Sequence, residues 1–235
     1  YEILRRLVVS EMCIRDRRCP APLTPSAMVT PANASLNAVG ESSGSEASLS
    51  SDGCYRWWLR RCLGAGEGCL LFVGLNPSRA DGQRDDPTLR RLIGFARQWG
   101  YRELLVVNLF ARMSPSPAAL LRVKDPIGEQ NDAILNRWFN HWSRTSGVDL
   151  WCGWGANGAR WDRAQLVLGT IQRLLPHRRR SVPDSPHPLM LGQTASGQPR
   201  HPLYAPRNAC LRPLLWADPE PIRHPVGTVM DVFPR

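Results

Sequence analysis

The chain has 235 residues, 43% of them hydrophobic, which is enough for one domain of ordinary size with extensions and excludes disorder throughout. No run approaches the roughly 18 apolar residues of a membrane span, and the opening residues lack a secretory pattern. The formal charge is +10, from 30 Lys and Arg against 20 Asp and Glu, with Lys124 the one lysine; nucleic acid is the natural partner for such a charge, although GC-rich coding explains an all-Arg set equally well.

Residues 1–53 read as an extension outside the fold. Residues 20–53 are Pro, Ala, Ser, Asn and Gly with no apolar period, and cannot bury enough surface to offset their ordering entropy. Residues 10–17, SEMCIRDR, read either as a translated sequencing adapter, which would make residues 1–17 artefactual, or as a short amphipathic N-terminus. Residues 55–61, aromatic and Arg-rich, read as a strand or hairpin arm. Residues 69–75 (CLLFVGL) form an apolar run suited to a strand buried on both faces.

Asp86-Pro87 opens a helix, with Asp as cap, an apolar face of Leu89, Leu92, Ile93 and Ala96, and Gly100 as its stop. Residues 104–109 (LLVVNL) predict a second buried strand. Asp125-Pro126 predicts another helix start, running to about Trp142. Residues 148–153 predict a third strand, and residues 156–175 a long helix closed by Pro176. Residues 187–192 predict a short fourth strand, and the Pro-rich tail from residue 213 is expected to be irregular. The Arg178-Arg179-Arg180 run is expected to be a solvated helix end.

Strands alternating with helices predict an α/β fold: a three-layer α/β/α sandwich over residues 54–212, with a mostly parallel four-stranded central sheet and an added N-terminal strand or hairpin. Ligands of such sheets bind beyond the carboxyl ends of the strands. The basic excess sits in this domain, with 23 Lys and Arg against 11 Asp and Glu in residues 54–212.

That rule singles out several residues. Asn76, between a buried strand and Pro77, either holds a ligand through its amide or only turns the chain. Asn108, closing the second strand, needs polar partners from the next loop or from a ligand. Asp81, Asp85 and Asp86 could ligate a metal or act as acid and base, although Asp86 already serves as a cap. His201 lies between Arg200 and Pro202; a neighbouring cation would keep it neutral, and it then presents an N–H donor or is a plain surface histidine. Trp154, between two glycines, either stacks on a base or packs in the core. The seven cysteines show no C-x-x-C and no metal spacing with His, so no disulfide scaffold or zinc site is expected and a reducing cytoplasm fits. Walker A, G-x-G-x-x-G, G-x-S-x-G and H-E-x-x-H motifs are absent, which argues against the common nucleotide, hydrolase and metalloprotease classes.

YRWWL (55–59), GLNPSRAD (74–81), DDPTLRR (85–91), GYRELLVVNLFA (100–111), DPIGEQND (125–132) and LGQTASGQPRHPLYAP (191–206) resemble the bacterial family called domain of unknown function 1643. More distantly, the order strand–GLNPS, strand–NLF, strand–GWG, then HP is similar to the uracil-DNA glycosylase superfamily. That resemblance implies a nucleobase- or nucleic-acid-binding protein that hydrolyses an N-glycosidic bond without a metal or cofactor, acting as a monomer. It implies that Asn76 holds the attacking water, Asn108 reads the base edge and His201 stabilises the departing base. Asp85 joins Asn76 and His201 as a catalytic candidate. Gly74, Pro77, Ser78, Asn108, Phe110, Trp154, Arg200 and Tyr204 are the expected substrate contacts. The sequence departs from the superfamily pattern at Asn76, where its most active branch has Asp, and at Leu203, where Ser is usual. Two rival expectations are a non-catalytic nucleic-acid-binding module and a metal-dependent nucleotide hydrolase using Asp81, Asp85 and Asp86.

Overall fold

The computed structural model describes residues 45–78, 85–185 and 187–214. In chain order these form β1 (Glu46–Leu49), β2 (Arg56–Cys62), β3 (Glu67–Gly74), α1 (Pro87–Gln98), β4 (Tyr101–Asn108), the short α2 (Pro117–Leu120), α3 (Asn131–Arg144), β5 (Val148–Cys152), α4 (Arg163–Ser181), β6 (Leu189–Met190) and β7 (Arg212–Pro213).

The apolar runs form the centre of one sheet. β4, β3, β5 and β6 lie side by side in that order and run parallel. Alternation then gives each central strand two buried faces. Leu71, Val73, Leu105, Val107, Leu150 and Cys152 pack against Leu135, Phe139 and Trp142 of α3 and Val167, Ile171 and Leu175 of α4. Leu70, Phe72, Leu104, Val106 and Trp151 pack against Leu89, Leu92 and Phe95 of α1 on the opposite face. The protein is thus a mixed α/β fold with helices on both sides of the sheet.

The sheet is larger than expected. Antiparallel β2 and β1 extend it beyond β4, and antiparallel β7 extends it beyond β6, giving seven strands in the order β1-β2-β4-β3-β5-β6-β7. β1 lies inside the stretch read as extension, and β7 reaches the start of the stretch read as tail. Backbone pairing with a neighbour builds these short edge strands, and no apolar period announces them. Among the described residues no helix is long and apolar enough to cross a membrane.

α1 starts as expected: Asp86 accepts from the Leu89 N–H at 2.7 Å, and Pro87 fills the first helical position. α3 does not start at Asp125-Pro126. Asp125 instead accepts from the N–H groups of Ile127 and Gly128, at 3.1 and 2.9 Å, and closes a turn. The long helix also differs. Residues 156–162 form a 3-10 turn kinked at Trp161 and Asp162, both with positive φ, and α4 runs through Pro176 to Ser181. Tertiary anchoring carries it past the proline. Arg178 is fully buried rather than solvated, and donates to the carbonyls of Trp142, Thr145, Val148 and Ser185.

Candidate active site

A cavity of about 730 Å3 lies at the carboxyl ends of β3 and β4, within the usual range for small-molecule sites. Phe72 and Val106 from the sheet and Leu89 and Leu92 from α1 supply its apolar wall. Gly74, Asn76, Ser78, Asn108, Trp154, Arg200, His201 and Tyr204, all expected at a site, line it together.

Asn108 ends β4 and is 3% exposed. Its Nδ2 has no hydrogen-bond partner among the described residues. A buried amide donor without an acceptor costs about 1–3 kcal/mol unless a ligand or water serves it. The chain around Asn108 is held from behind. Asn131 Nδ2 donates to the carbonyls of Asn108 and Leu109, at 3.2 and 2.9 Å, and Arg163 Nε donates to Leu109 at 2.8 Å. Gly74 leaves room in front: a Cβ there would stand 2.9 Å from Asn108 Oδ1. Gly74→Ala is therefore expected to displace the Asn108 amide and weaken ligand binding about tenfold or more, with little loss of thermal stability. Unchanged affinity with a shifted melting temperature would show that Gly74 serves packing alone.

Asn76 donates through Nδ2 to the carbonyls of Pro77 and Ser114, at 2.9 and 3.1 Å. The amide turns the chain, as one expectation held, and its Oδ1 is the atom that can accept from a ligand. Pro77 does not line the cavity; it is buried, and its carbonyl also accepts from the Ser114 N–H at 2.9 Å. Ser78 donates to Asp86 Oδ2.

His201 accepts from the Leu203 N–H through Nδ1 at 3.3 Å, which assigns the ring proton to Nε2. Burial lowers its pKa below the ordinary 6.5, and the Asp86 carboxylate partly offsets this. The expected cause, the Arg200 cation, is replaced by desolvation. Arg91 pins the His201 loop to α1, donating to Ala205 O at 2.5 Å and Pro202 O at 3.5 Å.

The lowered pKa has a pH consequence. The unfolded chain takes up a proton near 6.5 and the folded His201 only below that, so stability falls as pH drops through 6.5 and is flat above it. His141 and His187 are lowered by burial in the same direction. Urea midpoints measured about one unit either side of 6.5 are expected to show the loss, and His201→Gln to reduce it. A midpoint that rises on acidification would contradict the buried, neutral assignment.

Trp154 packs in the core beside α4, as one expectation held, and also borders the cavity. Its Nε1 donates to Gln198 Oε1 at 2.8 Å, which fixes the ring plane.

Besides Pro77, two expected site residues stand elsewhere. Phe110 is buried in the core, edge-on to Trp161 at 5.4 Å, because the residue after Leu109 turns to the α4 side. Asp85 pairs with Arg61 at 2.9 Å, where it neutralises a buried cation and does not line the cavity. Asp81 lies outside the described residues. Among the described residues no cluster of three His, Cys, Asp or Glu is placed to hold a metal.

Sequence reading missed Arg56, Phe72, Thr88 and the Ser114–Pro117 segment, all of which line the cavity. The Ser-Pro-Ser-Pro turn signature was the available signal for that segment. Part of the basic excess is internal: Arg60, Arg61, Arg163 and Arg178 are buried and paired with Glu103, Asp85, Asp132 and Asp149.

No curated protein and no solved structure matches the chain. The model of the family described as "Protein of unknown function (DUF1643)" matches residues 56–203, more than half of the chain and every cavity residue named above except Tyr204, and the chain belongs to that family.

Proposed function

We propose that the cavity binds a nucleobase presented by a nucleic acid and hydrolyses its N-glycosidic bond, on a scaffold of the uracil-DNA glycosylase kind. The observation that carries this reading is the buried Asn108 amide, whose Nδ2 lacks a partner among the described residues, in a cavity walled by Phe72 and Trp154. A nucleobase offers edge acceptors to such an amide and a face to such rings.

The remaining polar groups fit the reaction. Asn76 Oδ1 accepts a hydrogen bond from the attacking water, which adds to the sugar carbon as the glycosidic bond breaks and gives up its proton through solvent to the departed base anion. The base leaves with negative charge, and the His201 Nε2–H donates to it. A neutral histidine suits this role, because its N–H is present at neutral pH without the desolvation penalty of a buried cation.

One observation favours a binding module instead. Asp85 is paired with Arg61, and both Asp86 oxygens are engaged by the Leu89 N–H and the Ser78 hydroxyl, so neither carboxylate is free to act as a general base. A panel of single- and double-stranded oligonucleotides carrying modified bases separates the two. Base release from any of them, with affinity falling steeply as salt rises, supports the enzyme. Salt-sensitive binding without release supports the module, and absence of both removes the nucleic-acid reading.

A further inference from the structure

Arg56 is the first residue of β2, is 4% exposed, and lines the cavity beside Phe72 and Val106. Strict alternation along β2 would give it the face of Trp58 and Arg60. That face turns to α3: Trp58 meets Trp138 edge-on at 6.3 Å, and Arg60 pairs with Glu103 at 3.3 Å. The ladder breaks the alternation. Ser48 pairs with Trp58, yet the next residue, Leu49, pairs with Arg56, so β2 carries one extra residue at Trp57. Such a bulge swings the chain beyond it to the opposite face and recurs where a side chain is re-aimed beside a site. Here Tyr55 and Trp57, stacked at 5.5 Å, pack against Gly128, and Arg56 turns to the cavity side of the sheet.

A guanidinium stays charged at every working pH and offers five N–H donors in a planar fork that matches phosphate oxygens. Arg200 adds a second guanidinium to the cavity lining, and this one is exposed. A nucleobase alone needs the neutral donors Asn108 and His201 and makes no use of a buried cation. The cavity volume also leaves space for a sugar and a phosphate.

We infer that the ligand is a nucleotide whose phosphate monoester binds the Arg56 fork while its base meets Asn108. This rests on the nucleobase reading above and names its substrate class. The nucleotide is either a free monophosphate or the 5′-phosphorylated end of a strand.

Calorimetric titration of the full chain tests it. The probes are nucleoside 5′-monophosphates, the matching nucleosides, inorganic phosphate, and short single strands with and without a 5′-phosphate. The phosphate is expected to raise affinity about tenfold or more over the nucleoside. Arg56→Gln is expected to abolish that gain and leave nucleoside affinity unchanged, while Asn108→Ala weakens both. A gain confined to mononucleotides identifies the free ligand; a gain shared by phosphorylated strands identifies the strand end.

Equal affinity for nucleoside and nucleotide, or a gain that survives Arg56→Gln, overturns the inference and leaves the nucleobase reading standing. Arg56-dependent binding of inorganic phosphate with no response to nucleosides removes the base and keeps the anion site. Should Arg56→Gln fail to fold, phosphorus NMR on the unaltered protein decides. A phosphate held by a guanidinium has its second ionisation, ordinarily near pH 6, displaced to lower pH on binding; an undisplaced titration overturns the assignment.

Discussion

His201→Ala is expected to slow base release about 100-fold to 1,000-fold, roughly 3–4 kcal/mol, while leaving most oligonucleotide affinity intact. In the proposed reaction the Nε2–H would meet charge that develops only as the base departs, so its contribution would belong to the transition state. The geometry behind the expectation is a ring whose Nδ1 is occupied by the Leu203 N–H and whose loop is pinned by Arg91. Asn108→Ala is expected to behave differently. In the proposed reaction its amide would touch the base before and during cleavage, so binding and turnover would fall together. Single-turnover base release and equilibrium binding, measured on both variants, provide the check. If His201→Ala weakens binding as much as Asn108→Ala and no substrate releases a base, the binding-module reading replaces the catalytic one.

Arg178→Met is expected to cost about 3–5 kcal/mol of folding stability, the largest loss among the residues outside the cavity. The guanidinium is fully buried and donates to four backbone carbonyls at 2.6 to 2.9 Å. It also faces Asp149 at 3.7 Å and lies over the Trp142 ring at 5.2 Å. Methionine matches the apolar stem but leaves those carbonyls without their donor and Asp149, still bonded by the Tyr101 and Ser185 hydroxyls, without its neighbouring cation. Arg178→Lys is expected to recover only part of the loss, since an ammonium lacks the planar fork that reaches the end of α3, the start of β5 and Ser185 at once. Urea unfolding of the three proteins provides the measurement. A loss below about 1 kcal/mol for Arg178→Met would mean that water replaces the guanidinium at little cost.

The central layer was legible because burial on two faces leaves a local mark. Residues 69–75 and 104–109 are unbroken apolar runs, and they became β3 and β4, the adjacent parallel strands whose ends carry the cavity. The start of α1 was legible for a similar reason: the Asp86 cap and Pro87 act within one turn of the chain. The convergence of Asn76, Asn108, His201 and Trp154 followed from their places at strand ends, where a parallel sheet gathers its loops.

Other features are decided between segments distant in sequence. β1 exists because β2 offers it a partner, and its own residues carry no apolar period. Asp125-Pro126 and Asp86-Pro87 are the same dipeptide, yet one closes a turn and the other opens a helix; the neighbouring residues and their packing partners make the difference. α4 outlasts Pro176 because Arg178 finds acceptors contributed by α3, β5 and the Ser185 turn, and that gain exceeds one missing helix hydrogen bond. Arg56 reads as an ordinary strand arginine until the one-residue slip against β1 turns it to the cavity side. Hydrophobic period and capping thus determined the central strands and the first helix, being local. Pairing register, buried arginine contacts and the Asn108 Nδ2 left without a partner among the described residues depend on which groups meet in space, and only the tertiary structure decides that.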